Sequence, residues 1–202
     1  MNIIEIGANN GSNTANFSKN SNIWCFEPNP SYAKLLRNRF KNNENVKIIE
    51  KAVSDFNGTA HFNISLDGAS SSLNNLTDFA TKKTKIKYID KVTVDVVRMD
   101  TFLTNTNIEH IDYFHCDAQG DDFKILKSFG DKLSMILKGK IEVNLKDELY
   151  LNASNNLDEV IQFLNTNGFE VINWKEINKN KMDIYRYDCN VMFCQKNKKN
   201  LI

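Results

Sequence analysis

No stretch of about 18 consecutive apolar residues occurs in this sequence, which removes an ordinary membrane-spanning helix. The opening Met-Asn-Ile-Ile-Glu-Ile-Gly carries neither a basic region nor a long apolar run. No secretory leader is therefore read, and the expected compartment is cytoplasmic. None of the four cysteines, Cys25, Cys116, Cys189 and Cys194, belongs to a C-x-x-C pair, and each sits in an apolar, strand-like run. Reduced, buried thiols are expected. The three histidines, His61, His110 and His115, share no metal-ligand spacing with them, so no metal site is read. An excess of one charge is missing too. Lys plus Arg number 26 against 25 Asp plus Glu, and this formal +1 offers no bulk attraction to nucleic acid or to an acidic membrane. Repeats and low-complexity linkers are absent, so the 202 residues are read as one domain, with 196–202 as a fraying tail.

Hydrophobic residues make up 41% and charged residues 25%, a balance that supports a packed core rather than disorder. Near-continuous apolar runs alternate with helical patterns, which points to an α/β, Rossmann-like, doubly wound fold. Its mostly parallel sheet should have about seven strands and end in a C-terminal antiparallel hairpin. Runs at 2–6, 22–26 and 46–53 read as the first three strands, with a short helix at 13–19 between the first two. A second helix opens at Pro30, where the missing N–H costs nothing, and Asn29 can cap it. Its positions Ala33, Leu36 and Phe40 share one face. The middle is less regular, with extended segments at 59–66 and 92–99 around a Ser- and Asn-rich stretch. The alternation then resumes with a strand at 111–116, a helix at 121–129 stopped by Gly130, and a strand within 135–145. A helix carrying Leu157, Val160, Ile161 and Leu164 ends at Gly168. Runs at 169–174 and 189–195 follow with no helix between them, so the last strand is expected to be antiparallel.

Ligands of such a sheet bind beyond the carboxyl ends of its strands, near the switch in strand order. The first loop there, Glu5 to Ser12, has Gly7 and Gly11 for a tight turn and a close approach to a ligand. It lacks the middle glycine of the dinucleotide fingerprint and the Gly-Lys-Ser/Thr of a phosphate-binding loop. A nucleoside without phosphates suits it better than NAD or ATP, and the plainer reading is an ordinary strand-to-helix turn. Glu27, twenty residues after Gly7, can accept hydrogen bonds from both hydroxyls of a ribose, or can be a solvated acid before a turn. Asp117 and Glu142 stand at the ends of two later strands and can orient an acceptor or take its proton. Their plainer readings are a helix cap and a structural ion pair. His115 reads as a hydrogen-bonded core residue. Ser70, Ser71 and Ser72 either contact an acceptor or satisfy backbone in a turn. The run Lys82, Lys83, Lys85 and Lys87 is a solvated face, or a site for an anionic acceptor such as a phosphorylated glycan or RNA.

Four stretches in this order and spacing resemble the FkbM family of S-adenosylmethionine-dependent methyltransferases. They are Glu5 to Ser12, Phe26-Glu27-Pro28-Asn29-Pro30, Ala52 to Gly58, and Asp117-Ala118-Gln119-Gly120-Asp121-Asp122, with Ser70 to Leu73 as a lesser fifth. The resemblance implies S-adenosylmethionine as cofactor. It assigns Glu5, Gly7, Ala8, Asn9 and Gly11 to the cofactor's methionine part, Glu27 with Pro28 to the ribose, and Val53 and Asp55 to the region beside the adenine. Asp117 would lie close to the methyl group and the acceptor, with Glu142 as a second acid and Ser71 and Ser72 on the acceptor side. Two departures stand out: Glu5 replaces the family's usual Asp, and Gln119 and Asp122 replace two glutamates. Gln119 carries no charge, so it receives no acid–base role. The sequence also starts almost at its first strand, without the helices that in the family often help cover the acceptor. The implied activity is O-methyl transfer to a small-molecule or glycan acceptor through a sugar hydroxyl or that of another small metabolite. The alternatives are a cofactor-binding module of the same fold without transfer, and a nicotinamide-dependent oxidoreductase, against which the missing glycine argues.

Overall fold

The computed structural model describes residues 1–17, 20–144, 149–153, 156–176 and 188–196. Strand β1 (Asn2–Ile6) leads into α1 (Ser12–Asn16), and β2 (Asn22–Phe26) into α2 (Pro30–Arg39) and β3 (Val46–Ile49). The Asn29 side chain accepts from the Ser31 amide at 3.0 Å, and Pro30 occupies the first turn of α2. Ala33 and Leu36 on the inward face are fully buried, whereas Leu35 beside them is 42% exposed. After the central region come β7 (Tyr113–Cys116), α5 (Asp122–Lys127) and β8 (Lys138–Asn144), then α6 (Leu157–Thr166), β9 (Phe169–Glu176) and β10 (Asp188–Gln195). The Asn156 side chain caps α6 by accepting from the Asp158 and Glu159 amides.

The main sheet has seven strands in the order β3-β2-β1-β7-β8-β10-β9. The first five are mutually parallel, and β10 runs antiparallel to both of its neighbours, as the run without an intervening helix required. The chain moves outward from β1 through β2 to β3, then returns to the other side of β1 with β7. That reversal is the switch in strand order, and it lies between β1 and β7. Phe26, Phe114, Phe129, Phe169 and Phe193 are fully buried along the sheet. Burying each large side chain contributes roughly 1.5–3 kcal/mol. No helix among the described residues is long and apolar enough to cross a membrane.

The expected third strand, 46–53, is two strands in two sheets. The Lys51 amide donates back to the Ile49 carbonyl at 2.9 Å, and this three-residue turn redirects the chain. Ala52–Val53 (β4) then pairs with β6 (Tyr88–Val97), which also pairs with β5 (Gly58–Ser65), giving a separate sheet in the order β4-β6-β5. An unbroken run of apolar residues cannot reveal a change of partner. Two short helices went unread: α3 (Asp78–Lys83), capped by the Thr77 hydroxyl, and α4 (Met99–Thr104). Each exceeds one turn only slightly, too little for a period to emerge. The first helix is shorter than expected at Ser12–Asn16, while residues 18–19 of the expected 13–19 lie outside the described residues. So do 197–202 of the expected tail and the hairpin loop at 177–187.

Candidate active site

A cavity of about 240 Å³ opens at the switch between β1 and β7, beyond the carboxyl ends of the strands. Gly7 forms its floor. The backbone there has φ +76, and a methyl group on Gly7 would sit 2.0 Å from the Asp117 carbonyl oxygen, so only glycine lets β1 and β7 close at this point. Ala8, Asn9 and Asn10 continue the floor. Gly11, also at positive φ, lies against Leu36 and Phe40 of α2 and does not reach the cavity, but turns the chain into α1.

Glu27, at the end of β2, borders the cavity together with Pro28. One carboxylate oxygen accepts from the Asn9 amide at 2.7 Å and the other from the Asn29 amide at 2.8 Å. A carboxylate has about four lone-pair directions, so each oxygen keeps room for a further donor. Burial pushes the Glu27 carboxyl up to about 7 despite these two amides. Ala52, Val53 and Phe62 of the smaller sheet, with Leu73 packed against them, supply an apolar wall. Asp55 is exposed and outside the lining, so of the pair expected beside a base only Val53 reaches the cavity. The buried acid on that side is Asp121, which accepts from the Ser54 hydroxyl at 2.6 Å, the Asn74 amide at 2.8 Å and Lys124 at 2.9 Å.

Glu5 is placed differently from its expected role. Alternation along β1 turns its side chain to the face beneath α1, where it is fully buried. The Thr14 hydroxyl donates to its Oε2 at 2.6 Å, and the Cys25 thiol approaches the same oxygen at 3.6 Å. Its Oε1 lies 3.8 Å from His115 Nδ1, and neither atom has a hydrogen-bond partner among the described residues. Glu5 therefore braces the helix behind the glycine loop rather than facing a ligand.

Asp117 and Gln119 form the far end of the cavity. The Gln119 amide donates to Asp117 Oδ1 at 2.6 Å and to Glu142 Oε2 at 3.2 Å, so one side chain joins the two acids picked from the sequence. Glu142 itself stands behind this pair, outside the cavity lining. The roof is the segment after β5. Gly68, Ala69, Ser71 and Leu73 line the cavity, and the Asn9 side chain donates to the Gly68 carbonyl at 3.1 Å. Ser72 is fully buried, and its hydroxyl donates to the Gln119 carbonyl at 2.7 Å, so it fastens the roof instead of meeting a ligand. Gln119 and Tyr150, whose hydroxyl donates to Gln119 Oε1 at 2.6 Å, are functional candidates that sequence reasoning missed. The signal for Gln119 was its place two residues after Asp117; Tyr150 gave none. Among the described residues, no group of three or more His, Cys, Asp or Glu is arranged to hold a metal ion.

The methyltransferase FkbM domain family matches residues 5–171. A 2-O-methyltransferase, NoeI of Sinorhizobium fredii, is 26% identical over 134 residues, which is 61% of this chain and 55% of the relative. The chain thus spans about half the length of that curated relative. The crystal structure of methyltransferase FkbM from Methylobacillus flagellatus superposes with a TM-score of 0.59 at 14% identity, covering 95% of this chain and 43% of the other. Fibrillarin of Aeropyrum pernix, with natively bound S-adenosyl-L-methionine, superposes with a TM-score of 0.51 at 11% identity, covering 95% of this chain and 65% of the other. At these identities the structural likeness is one of fold.

Proposed function

We propose, from the premise that this chain belongs to the FkbM methyltransferase family, that it moves a methyl group from S-adenosylmethionine to a hydroxyl oxygen. The observation that carries this reading is the convergence of the Gly7–Asn9 turn, the Glu27 carboxylate and Asp117 on one cavity. The residues fit the cofactor. Glu27 can accept from both ribose hydroxyls, the Val53, Phe62 and Leu73 wall suits the flat face of a base, and the turn at Gly7 lets the methionine end lie against backbone. S-adenosylmethionine supplies an already electrophilic methyl carbon, which leaves alignment as the protein's main task.

Orientation of reacting atoms near 3–3.5 Å contributes up to roughly 7–11 kcal/mol in ideal cases. Asp117 is the group we assign to the acceptor. With the cofactor bound, Asp117 would orient the acceptor hydroxyl and take its proton as that oxygen receives the methyl group and S-adenosylhomocysteine is released. Asp117 Oδ1 is held by Gln119, and Oδ2 has no hydrogen-bond partner among the described residues, so it can receive that proton. The acceptor we infer is an uncharged, hydroxyl-rich molecule such as a sugar or glycan. The Asp117 carboxylate at this end attracts hydroxyl donors, and Gln119 beside it adds a neutral hydrogen-bonding group. The oxygen chemistry agrees with the name of the 2-O-methyltransferase relative.

Incubation with methyl-labelled cofactor and cell extract, followed by fractionation, tests the reading, and label in neutral saccharide is the expected result. Asp117→Asn should lower turnover by about 10²–10⁴-fold, the usual worth of a general base. Its affinity for S-adenosylhomocysteine, read by calorimetry, should stay close to that of the parent. Binding of NAD in place of S-adenosylhomocysteine would reject methyl transfer outright. Tight cofactor binding with no labelled product in any fraction would leave a binding module.

A further inference from the structure

Gln119 is held at four points. Its backbone sits at φ 53, a left-handed conformation that costs a residue with a side chain roughly 1–2 kcal/mol. Its carbonyl accepts from Ser72, its amide nitrogen donates to Asp117 and Glu142, and its side-chain oxygen accepts from Tyr150. Ionised carboxylates can only accept, so the nitrogen must face them and the oxygen must face the Tyr150 hydroxyl. Tyr150 is 3% exposed and is itself anchored to the roof side of the molecule. Leu76 bridges to it, the Thr77 amide donates to the Leu149 carbonyl at 3.0 Å, and the Leu151 amide donates to the Asn75 carbonyl at 2.7 Å. Tyr150 also packs with Ala80, Leu149 and Ala153. Gly120, at φ 108, allows this approach, because a methyl there would lie 3.0 Å from the Tyr150 Cβ.

The Gln119 side chain thus has one N–H for each of the two carboxylates, at 2.6 Å to Asp117 and 3.2 Å to Glu142. Resting on the methyl-transfer reading above, we propose that Gln119 and Tyr150 are positioning residues. In this arrangement the Tyr150 hydroxyl fixes the Gln119 amide so that its two N–H groups hold the Asp117 and Glu142 side chains in place at the acceptor end of the cavity.

The test uses the full chain, isotope-labelled for NMR, with Tyr150→Phe and Gln119→Met as variants. In the parent the Gln119 side-chain N–H protons should exchange slowly with solvent. Tyr150→Phe should speed that exchange about tenfold or more, the effect of one buried hydrogen bond, while S-adenosylhomocysteine affinity holds. Gln119→Met keeps the length of the side chain without its N–H groups and should lower kcat about tenfold or more, with S-adenosylhomocysteine affinity again close to the parent's. Unchanged exchange in Tyr150→Phe, or a parent-like kcat in Gln119→Met, would overturn the proposal. A parent protein that ignores S-adenosylhomocysteine while exchange still quickens in Tyr150→Phe would overturn the methyl-transfer reading and leave the hydrogen-bonded network standing.

Discussion

Glu27 combines two opposing influences in one side chain. Burial raises its carboxyl to about 7, and the amides of Asn29 and Asn9 pull the other way without cancelling it. An acid raised on folding contributes stability that is complete below its unfolded value of about 4.3 and is lost as the pH rises through about 7. Melting temperature of the ligand-free protein should therefore fall between about pH 5 and pH 8, and Glu27→Gln should flatten that fall. The ionised carboxylate accepts from ribose hydroxyls with both oxygens and more strongly than the protonated acid, which turns one oxygen into a donor. S-adenosylhomocysteine should thus bind about tenfold more tightly at pH 8 than at pH 6, as calorimetry at the two values would read. Equal affinities would remove Glu27 from the ribose. Its position was legible in the sequence, twenty residues after Gly7 at the end of a strand, although the sequence alone also allowed a solvated acid before a turn. Its raised pKa was not, because burial comes from chain segments far away in sequence.

Turns and strand ends decide the architecture at the next scale. The Gly7 turn is held by the Gly7 and Ala8 amides, which donate to the Phe26 carbonyl at 3.0 and 3.2 Å, and by the contact with Asp117. Gly7→Ala forces a Cβ into that carbonyl oxygen at a positive φ, and should cost about 2–4 kcal/mol. A denaturant midpoint close to that of the parent would mean β1 and β7 can part without penalty. The helices with two or more turns, α2 and α6, showed their period in the sequence, and α2 its Asn29 cap as well, whereas the Asn156 cap of α6 came from the structure. The break between β3 and β4 did not, since both sides of it are apolar and a three-residue turn leaves no compositional mark. That break matters for the site, because it brings Val53 and the smaller sheet over the cavity.

Across the whole molecule, all four cysteines are buried, and burial also pushes the thiols of Cys25 and Cys116 up. A thiol reagent should find none of them in the native protein and four after unfolding, and rapid native labelling would contradict the packing. The sequence by itself determined the alternation of strands and helices, the parallel sheet with its antiparallel end, and the acids at the strand ends. Each of these depends on local periodicity or on a residue's place beside a turn, and both are written in consecutive residues. Only the tertiary structure decided which of those acids face the cavity. Glu5 and Glu27 are both acids near the first turn, yet one braces a helix and the other borders the cavity. Gln119 meets Ser72, Glu142 and Tyr150 across chain separations of 47, 23 and 31 residues. The physical reason is that hydrogen bonding and burial depend on distance in space, which pairwise order along a chain does not carry.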